Sequence, residues 1–301
     1  MDYRQDGFIF TKIPFENKEA VCIQSHRVPE TIEYMKKKNI RYIKFHSDRY
    51  KYKGIKCLEE VAGQIEGIEI DMETKDLSRI GLLHNLRYLS VTGTTAGQVI
   101  NFANASSLVE CNLNWGGCFL NMKRCPKLKK LTIWNLEEPY LWELKDVHSL
   151  EYLSLYECLS LQDLEVIKPL VNLREVSLYN CRNLASIEQI KFMSGTLASL
   201  SIIKSKKLND YSPISKLNKL ENLVIKDSGS SPDARFLEAL PSLRCGHINI
   251  CIVDGQVEKL LKLPVKFRNY LHYSHKNIHL VKTTPDGDSI IQKIKSIKDV
   301  S

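Results

Sequence analysis

Four histidines, His247, His272, His275 and His279, gather near the carboxy terminus with Cys245 and Cys251 beside them. Imidazole and thiolate are the common zinc ligands, and the same groups serve as base and nucleophile. This constellation therefore has the residue types for a metal or catalytic site. Glu66, Glu69, Asp71 and Glu73 form a second group that could hold a divalent cation. Lys44, His46, Arg49, Lys51 and Lys53 share that part of the chain, and mutual charge pairing is the ordinary result of such a mixture. Cys111, Cys118 and Cys125 recur at intervals of seven, without a C-x-x-C or a histidine partner at finger-like spacing. The chain contains no glycine-rich phosphate loop, no H-E-x-x-H and no G-x-S-x-G. A non-catalytic protein without cofactor or metal is the expectation, and an enzymatic or metal site at the histidines is the alternative of another class.

The elements that would position these groups follow one rule. In SLEYLSLYECLSLQDLEVIKPLVNLREVSLYNCRNL, residues 149–184, Leu150, Leu153, Leu155 and Cys158 make the pattern L-x-x-L-x-L-x-x-C, which Leu173, Val176, Leu178 and Cys181 repeat. Leu153 and Leu155 alternate inward at the strand period while Tyr152, Ser154 and Tyr156 face the other way. Leu161, Leu164, Ile167 and Leu170 return to the same core, and Pro169 rules out a long helix between them, so turns or 3₁₀ segments are expected. The first position of the frame falls at Ile40, Ile65, Leu86, Leu108, Leu128, Leu150, Leu173, Leu197, Leu220 and Leu243, a mean spacing of about 22.6. No unit of this kind buries its apolar side alone, so neighbours must stack.

The repeat marks residues 40–251 as the array, residues 1–39 as an amino-terminal cap and 252–301 as a carboxy-terminal cap. In the first cap FIFTKIPF and AVCIQS read as strands, and ETIEYMKKKN after Pro29 as a helix with proline in its first turn. Lys36, Lys37 and Lys38 suit the end of that helix. In the second cap Gly255 to Leu263 reads as a short helix and Asn277 to Lys282 as a strand. SIIQKIKSIKDV reads as a final helix with Ile290, Ile291, Ile294 and Ile297 on one face.

The formal net charge of +8 sits at the two ends and leaves the array close to neutral, which argues against a nucleic-acid surface on the repeats. The charged amino terminus and the lack of a run of about 20 apolar residues predict a cytoplasmic protein without a membrane partner. Cys158, Cys181 and Cys251 take the inward turn position and Cys111 an inward strand position, so reduced core thiols are expected in place of a disulfide framework.

Outward residues of each strand form columns. One runs His46, Asp71, Thr92, Asn114, Trp134, Tyr156, Tyr179, Ile203, Lys226 and Asn249, with Trp115 and Tyr152 in the same neighbourhood. Trp and Tyr are enriched in interface hot spots. Trp115, Trp134, Tyr152, Tyr156, Glu157, Glu175, Tyr179 and Ile203 are therefore the candidate partner-binding residues. Glu110, Glu157 and Glu175 suggest a basic partner segment, and Asn112, Thr132, Ser154, Ser177 and Ser201 form a small polar column that leaves room for it. The competing reading is an aromatic ladder that only stiffens the sheet, each pair contributing roughly 0.2–1 kcal/mol.

These units resemble those of the leucine-rich repeat superfamily. LQDLEVIKPLVNLREVSLYNC and LNDYSPISKLNKLENLVIKDS are similar to the 22-residue class of bacterial internalins and phosphatase-regulating repeat proteins. The resemblance implies an α/β solenoid, a curved horseshoe of about ten repeats with a parallel sheet on its concave face and short helices or 3₁₀ turns on its convex face. The same repeat serves many binding tasks, so the partner is read from the aromatic column: a scaffold that binds a protein or peptide, a monomer when unbound, is the expectation. Cys, Ser or Thr often replaces the usual asparagine of the inward turn. The Lys/Ile/Asn-rich style also resembles cytoplasmic bacterial repeat proteins, among them immunity proteins of contact-dependent toxin systems. A toxin-neutralising immunity protein or a regulatory subunit using the same surface is the alternative reading.

Overall fold

The computed structural model describes residues 2–93, 97–114, 118–135, 140–232, 235–251, 271–275 and 278–279. The chain divides into two compact units, Met1–Leu153 and Ser154–Ser301. The first holds β1 (Tyr3–Gln5), β2 (Phe8–Lys12), β3 (Glu19–Cys22), α1 (Val28–Lys38), β4 (Tyr42–His46), β5 (Gly67–Asp71), β6 (Tyr88–Val91), β7 (Val99–Asn101), β8 (Glu110–Asn114), β9 (Cys118–Leu120) and β10 (Lys130–Trp134). The division falls inside β11 (Tyr152–Tyr156). The second unit continues with β12 (Glu175–Tyr179), β13 (Ser199–Ile203), β14 (Asn222–Lys226), β15 (Cys245–Cys251), β16 (Leu271–His275) and β17 (Ile278–His279).

In the first unit β1, β2 and β3 pair antiparallel, and β3 then runs parallel to β4 through Val21↔Ile43, covering the edge that β4 would otherwise leave open. The helix expected after Pro29 is α1, and Asn39, left-handed at φ 51°, ends it. Its terminal lysines are partly paired, Lys36 with Glu60 at 2.8 Å and Lys38 with Asp6 at 3.7 Å. From β4 the strands of this sheet are parallel and in register: Ile43↔Ile68, Ile68↔Leu89, Leu89↔Cys111 and Cys111↔Leu131. Strands β7 and β9 form a separate parallel pair that the frame does not announce.

The second unit repeats the arrangement with Val176↔Leu200, Leu200↔Leu223 and Leu223↔Gly246. Every inward strand pair from Ile43 and Phe45 to Leu223 and Ile225 is at most 2% exposed wherever both residues lie in one unit, so each unit has one apolar layer behind its sheet. Opposite the sheet the chain returns in short 3₁₀ segments such as Glu165–Ile167, Glu188–Met193 and Ser212–Lys216, and Leu161, Leu164, Ile167 and Leu170 are all buried. In several repeats the residue before the frame leucine ties its turn to the turn of the preceding repeat. The side chains of Asn85, Thr196 and Ser242 donate to the carbonyls of Gly63, Val171 and Asn218 at 2.7–2.8 Å.

The two helices expected after residue 252 lie outside the described residues. Of the carboxy-terminal stretch the described backbone is β16, which pairs with β15 through Asn249↔His272, and β17, antiparallel to it through Ser274↔His279. The side chains of the histidine and cysteine cluster are likewise outside the described residues.

Candidate functional site

The turn that ends each strand sets what the sheet face can present. One residue beyond the outward column, Asn135, Glu157, Asn180, Lys204 and Asp227 all stand in the left-handed region, with φ between 52° and 59°. That conformation tips the next residue inward while the left-handed amide still bonds to the following strand: Glu157 N to Tyr179 O, Asn180 N to Ile203 O and Lys204 N to Lys226 O, at 2.8–2.9 Å. The inward residue then caps the strand-end carbonyls. Cys158 Sγ donates to Tyr156 O at 3.5 Å, Cys181 Sγ to Leu155 O and Tyr179 O at 3.8 Å, and Ser228 Oγ to Ile202 O at 3.2 Å. This is the work the usual asparagine would do, so a small thiol or hydroxyl is an adequate replacement. Parallel strands in one frame, 3₁₀ returns and a hydrogen-bonded inward turn are together decisive. The fold is a leucine-rich repeat fold.

Left-handed backbone suits Asn and is unfavourable for Glu and Lys. Glu157→Asn is therefore expected to stabilise the protein by about 1 kcal/mol, since the cost of a left-handed non-glycine residue is of that order. Thermal melting followed by circular dichroism checks this, and a lower midpoint for the variant would mean that contacts of Glu157 outweigh its backbone cost.

In the second unit the repeats bring Tyr156 and Tyr179 together, their rings tilted at 5.8 Å between centroids. Ile203 stands beside Tyr179 in register, and Ser177 pairs with Ser201 in the neighbouring column. Lys204 donates from Nζ to the Tyr179 hydroxyl at 2.8 Å and lies 5.0 Å from its ring centroid. That hydrogen bond holds the Lys204 ammonium above its ordinary range. Arg182 Nε donates to Asn180 Oδ1 at 2.9 Å. Glu157 is exposed, whereas Tyr156, Glu175, Tyr179 and Ile203 are half-buried, and mutual stacking accounts for part of the shielding of the two tyrosines.

Two other predicted residues belong to the first unit. Trp134 is half-buried at the end of β10, opposite Asn114, and Tyr152 lies under Lys130, whose Nζ is 5.4 Å from the ring centroid. Trp115 lies outside the described residues. The acids that suggested a basic partner are in part already answered: Glu110 faces Lys130 at 3.8 Å. The cation beside Tyr179 is Lys204, which the outward-column reading misses because it sits one residue past the column, where only the left-handed turn directs it.

The amino-terminal charged group is an array of pairs. Glu66 meets Arg41 at 2.5 Å, Asp71 meets His46 at 3.4 Å, Glu73 meets Lys53 at 2.6 Å, and Glu69 pairs with Lys44. Hydrogen bonding from Lys53 holds the Glu73 carboxyl below its usual range. The same unit has a covered patch of sheet face that the sequence did not suggest. The turn between β2 and β3 folds Phe15 onto outward-facing Tyr88, stacked at 5.2 Å, and against Tyr42 at 6.4 Å. Glu16 meets Arg87 at 3.2 Å, and Arg87 lies 5.4 Å from the Phe15 ring centroid. Burial pushes the Tyr88 hydroxyl up to about 12. Gly67 makes room for this cluster, since a Cβ there would lie 2.4 Å from the Tyr42 ring.

No family model and no curated protein matches the chain. Among solved structures it is similar to internalin C2 of Listeria monocytogenes, at 20% identity over 65% of this chain and 83% of that one, with a TM-score of 0.47. Internalin F of the same species matches at 14% identity over 78% of this chain and 76% of that one, TM-score 0.40. The functional domain of its internalin J, which includes a cysteine ladder, matches at 11% over 70% and 55%, TM-score 0.42. The pairing register of this chain's own strands, and not these distant likenesses, fixes its repeat fold.

Proposed function

We propose that this chain is a non-catalytic interaction module that takes a protein or peptide partner on the outward sheet face of its second unit. The observation that carries the reading is the Tyr156–Tyr179 pair, presented beside the small Ser177 and Ser201 and held at the phenol by a charged lysine. Rigid amphipathic rings next to small residues are what an interface core uses, because they add contact area at little cost in side-chain entropy. Glu157, Glu175 and Ile203 border the pair, and Trp134 and Tyr152 are proposed as contact residues of the first unit. The compartment we propose is the cytoplasm, where thiols such as those of Cys158 and Cys181 stay reduced.

The test is affinity capture from lysate of the source cell, identified by mass spectrometry, with wild type beside Tyr156→Ala/Tyr179→Ala. One protein retained by wild type and at least tenfold depleted with the variant is the expected result. Equal retention by a variant that melts like wild type would reduce the pair to a stacking ladder.

A further inference from the structure

We propose that the Tyr156–Tyr179 pair and the cations beside it form a docking site for an acidic protein segment that carries an aromatic side chain. The proposal rests on the preceding reading that this face takes a protein, and it specifies the chemistry of what docks.

The first argument is charge. In the first unit five cations on and beside the parallel strands are matched: Arg41, Lys44, Arg49, Lys53 and Arg87 each have a carboxylate partner. In the second unit Arg182, Lys204 and Lys226 are exposed on the turns or strand ends of β12, β13 and β14, with Lys206 and Lys207 next to them. None of these five makes an ion pair with an acid among the described residues, although Lys204 feels the nearby Asp227 carboxylate. Cations at a sheet's rim that the protein leaves unmatched favour an anionic partner by long-range attraction and by the contact itself.

The second argument is strain. Lys204 holds a left-handed backbone, φ 59°, at a position where Asn135 and Asn180 show that asparagine serves. The backbone cost at Lys204, which Glu157 shares, goes with an ammonium fixed on the Tyr179 phenol, so the turn holds a positive charge at the edge of the ring.

The third argument is an intramolecular precedent. In the first unit a Phe-Glu dipeptide already docks on this kind of face: Phe15 stacks on Tyr88 and Glu16 takes Arg87. The second unit offers the same complement, a tyrosine platform with guanidinium and ammonium groups at its edge. A single-stranded nucleic acid also combines stacking with negative charge. Glu157, Glu175 and Asp227 stand on the same repeats, however, and would repel a continuous phosphate backbone, whereas a protein segment can place its charges selectively.

The test uses the full chain and fluorescence anisotropy. The probes are a fluorescein-labelled peptide with one phenylalanine between glutamates, the same peptide with glycine for phenylalanine, its lysine counterpart, and an oligouridylate of similar length. Wild type is expected to bind the Phe/Glu peptide at least tenfold more tightly than either altered peptide. Lys204→Asn should weaken that binding at least threefold while melting no lower than wild type, so the loss is not unfolding, and Arg182→Ala/Lys204→Asn/Lys226→Ala should remove it. No binding of the Phe/Glu peptide, or binding untouched by these variants, overturns the proposal. Preference for the lysine peptide, lost in Tyr156→Ala/Tyr179→Ala, overturns the acidic chemistry and leaves the docking face standing. Tighter binding of oligouridylate, lost in the same cation variants, overturns both readings.

Discussion

Gly229→Ala is expected to cost the second unit about 3 kcal/mol, the upper part of the usual range for forcing an atom into a filled space, and to lower the melting midpoint by roughly 6 °C. A Cβ at Gly229 would lie 1.9 Å from Leu208 O and 2.7 Å from Lys206 O. Both are backbone atoms, so no side chain can turn aside to relieve the contact. The glycine is also bonded on both sides, its amide to Ser205 O at 3.1 Å and its carbonyl from the buried Tyr211 hydroxyl at 2.9 Å. Moving it drags the turn that bears Lys204, Lys206 and Lys207, so the variant should lose peptide binding along with stability. Gly195→Ala is the control, because nothing lies within 4 Å of a Cβ there and the backbone is not left-handed. Its melting should match or slightly exceed wild type. If the two alanine variants melt alike, the two turns are not packed this closely.

The frame of the repeat was legible because it is a statement about burial. Ten apolar positions at a nearly constant spacing, nine of them followed by two more at the strand period, leave one way to hide them all, and the observed registers follow it within each unit. The outward column was legible for the same reason, since period two fixes which residues face away. What the sequence hid is local and three-dimensional. Phe15 reads as part of an apolar strand run, and nothing in its neighbours says that its turn folds over Tyr88, three strands and a helix later in the chain. Lys204 reads as a surface lysine until the left-handed turn is seen, because asparagine, the usual signal for that backbone, appears in only some of the repeats. The bonds from Asn85, Thr196 and Ser242 were hidden too, because three residue types do one job and no pattern of letters joins them.

Lys44→Met is expected to destabilise the first unit by about 2 kcal/mol, and Glu69→Leu by a similar amount, while the double variant returns to within about 1 kcal/mol of wild type. The two side chains pair on adjacent strands in register and are only 18% and 14% exposed, so removing either leaves a charge that water reaches poorly. Removing both leaves two apolar stems of similar length on a partly covered sheet, which restores burial without a stranded ion. Breaking the exposed Lys36–Glu60 pair by Lys36→Met should change stability by less than about 0.5 kcal/mol, since both members are solvated. Denaturant titrations of the four species of the cycle measure the coupling directly. Strong coupling would mean that the first unit uses its charges to hold its own repeats together. The cations around Tyr179 then differ from the lysines on the parallel strands of the first unit, where Lys44 and Lys130 face carboxylates. A coupling near zero would show that paired and unpaired cations are alike in their effect on the fold, and the charge argument for an acidic partner would lose its contrast.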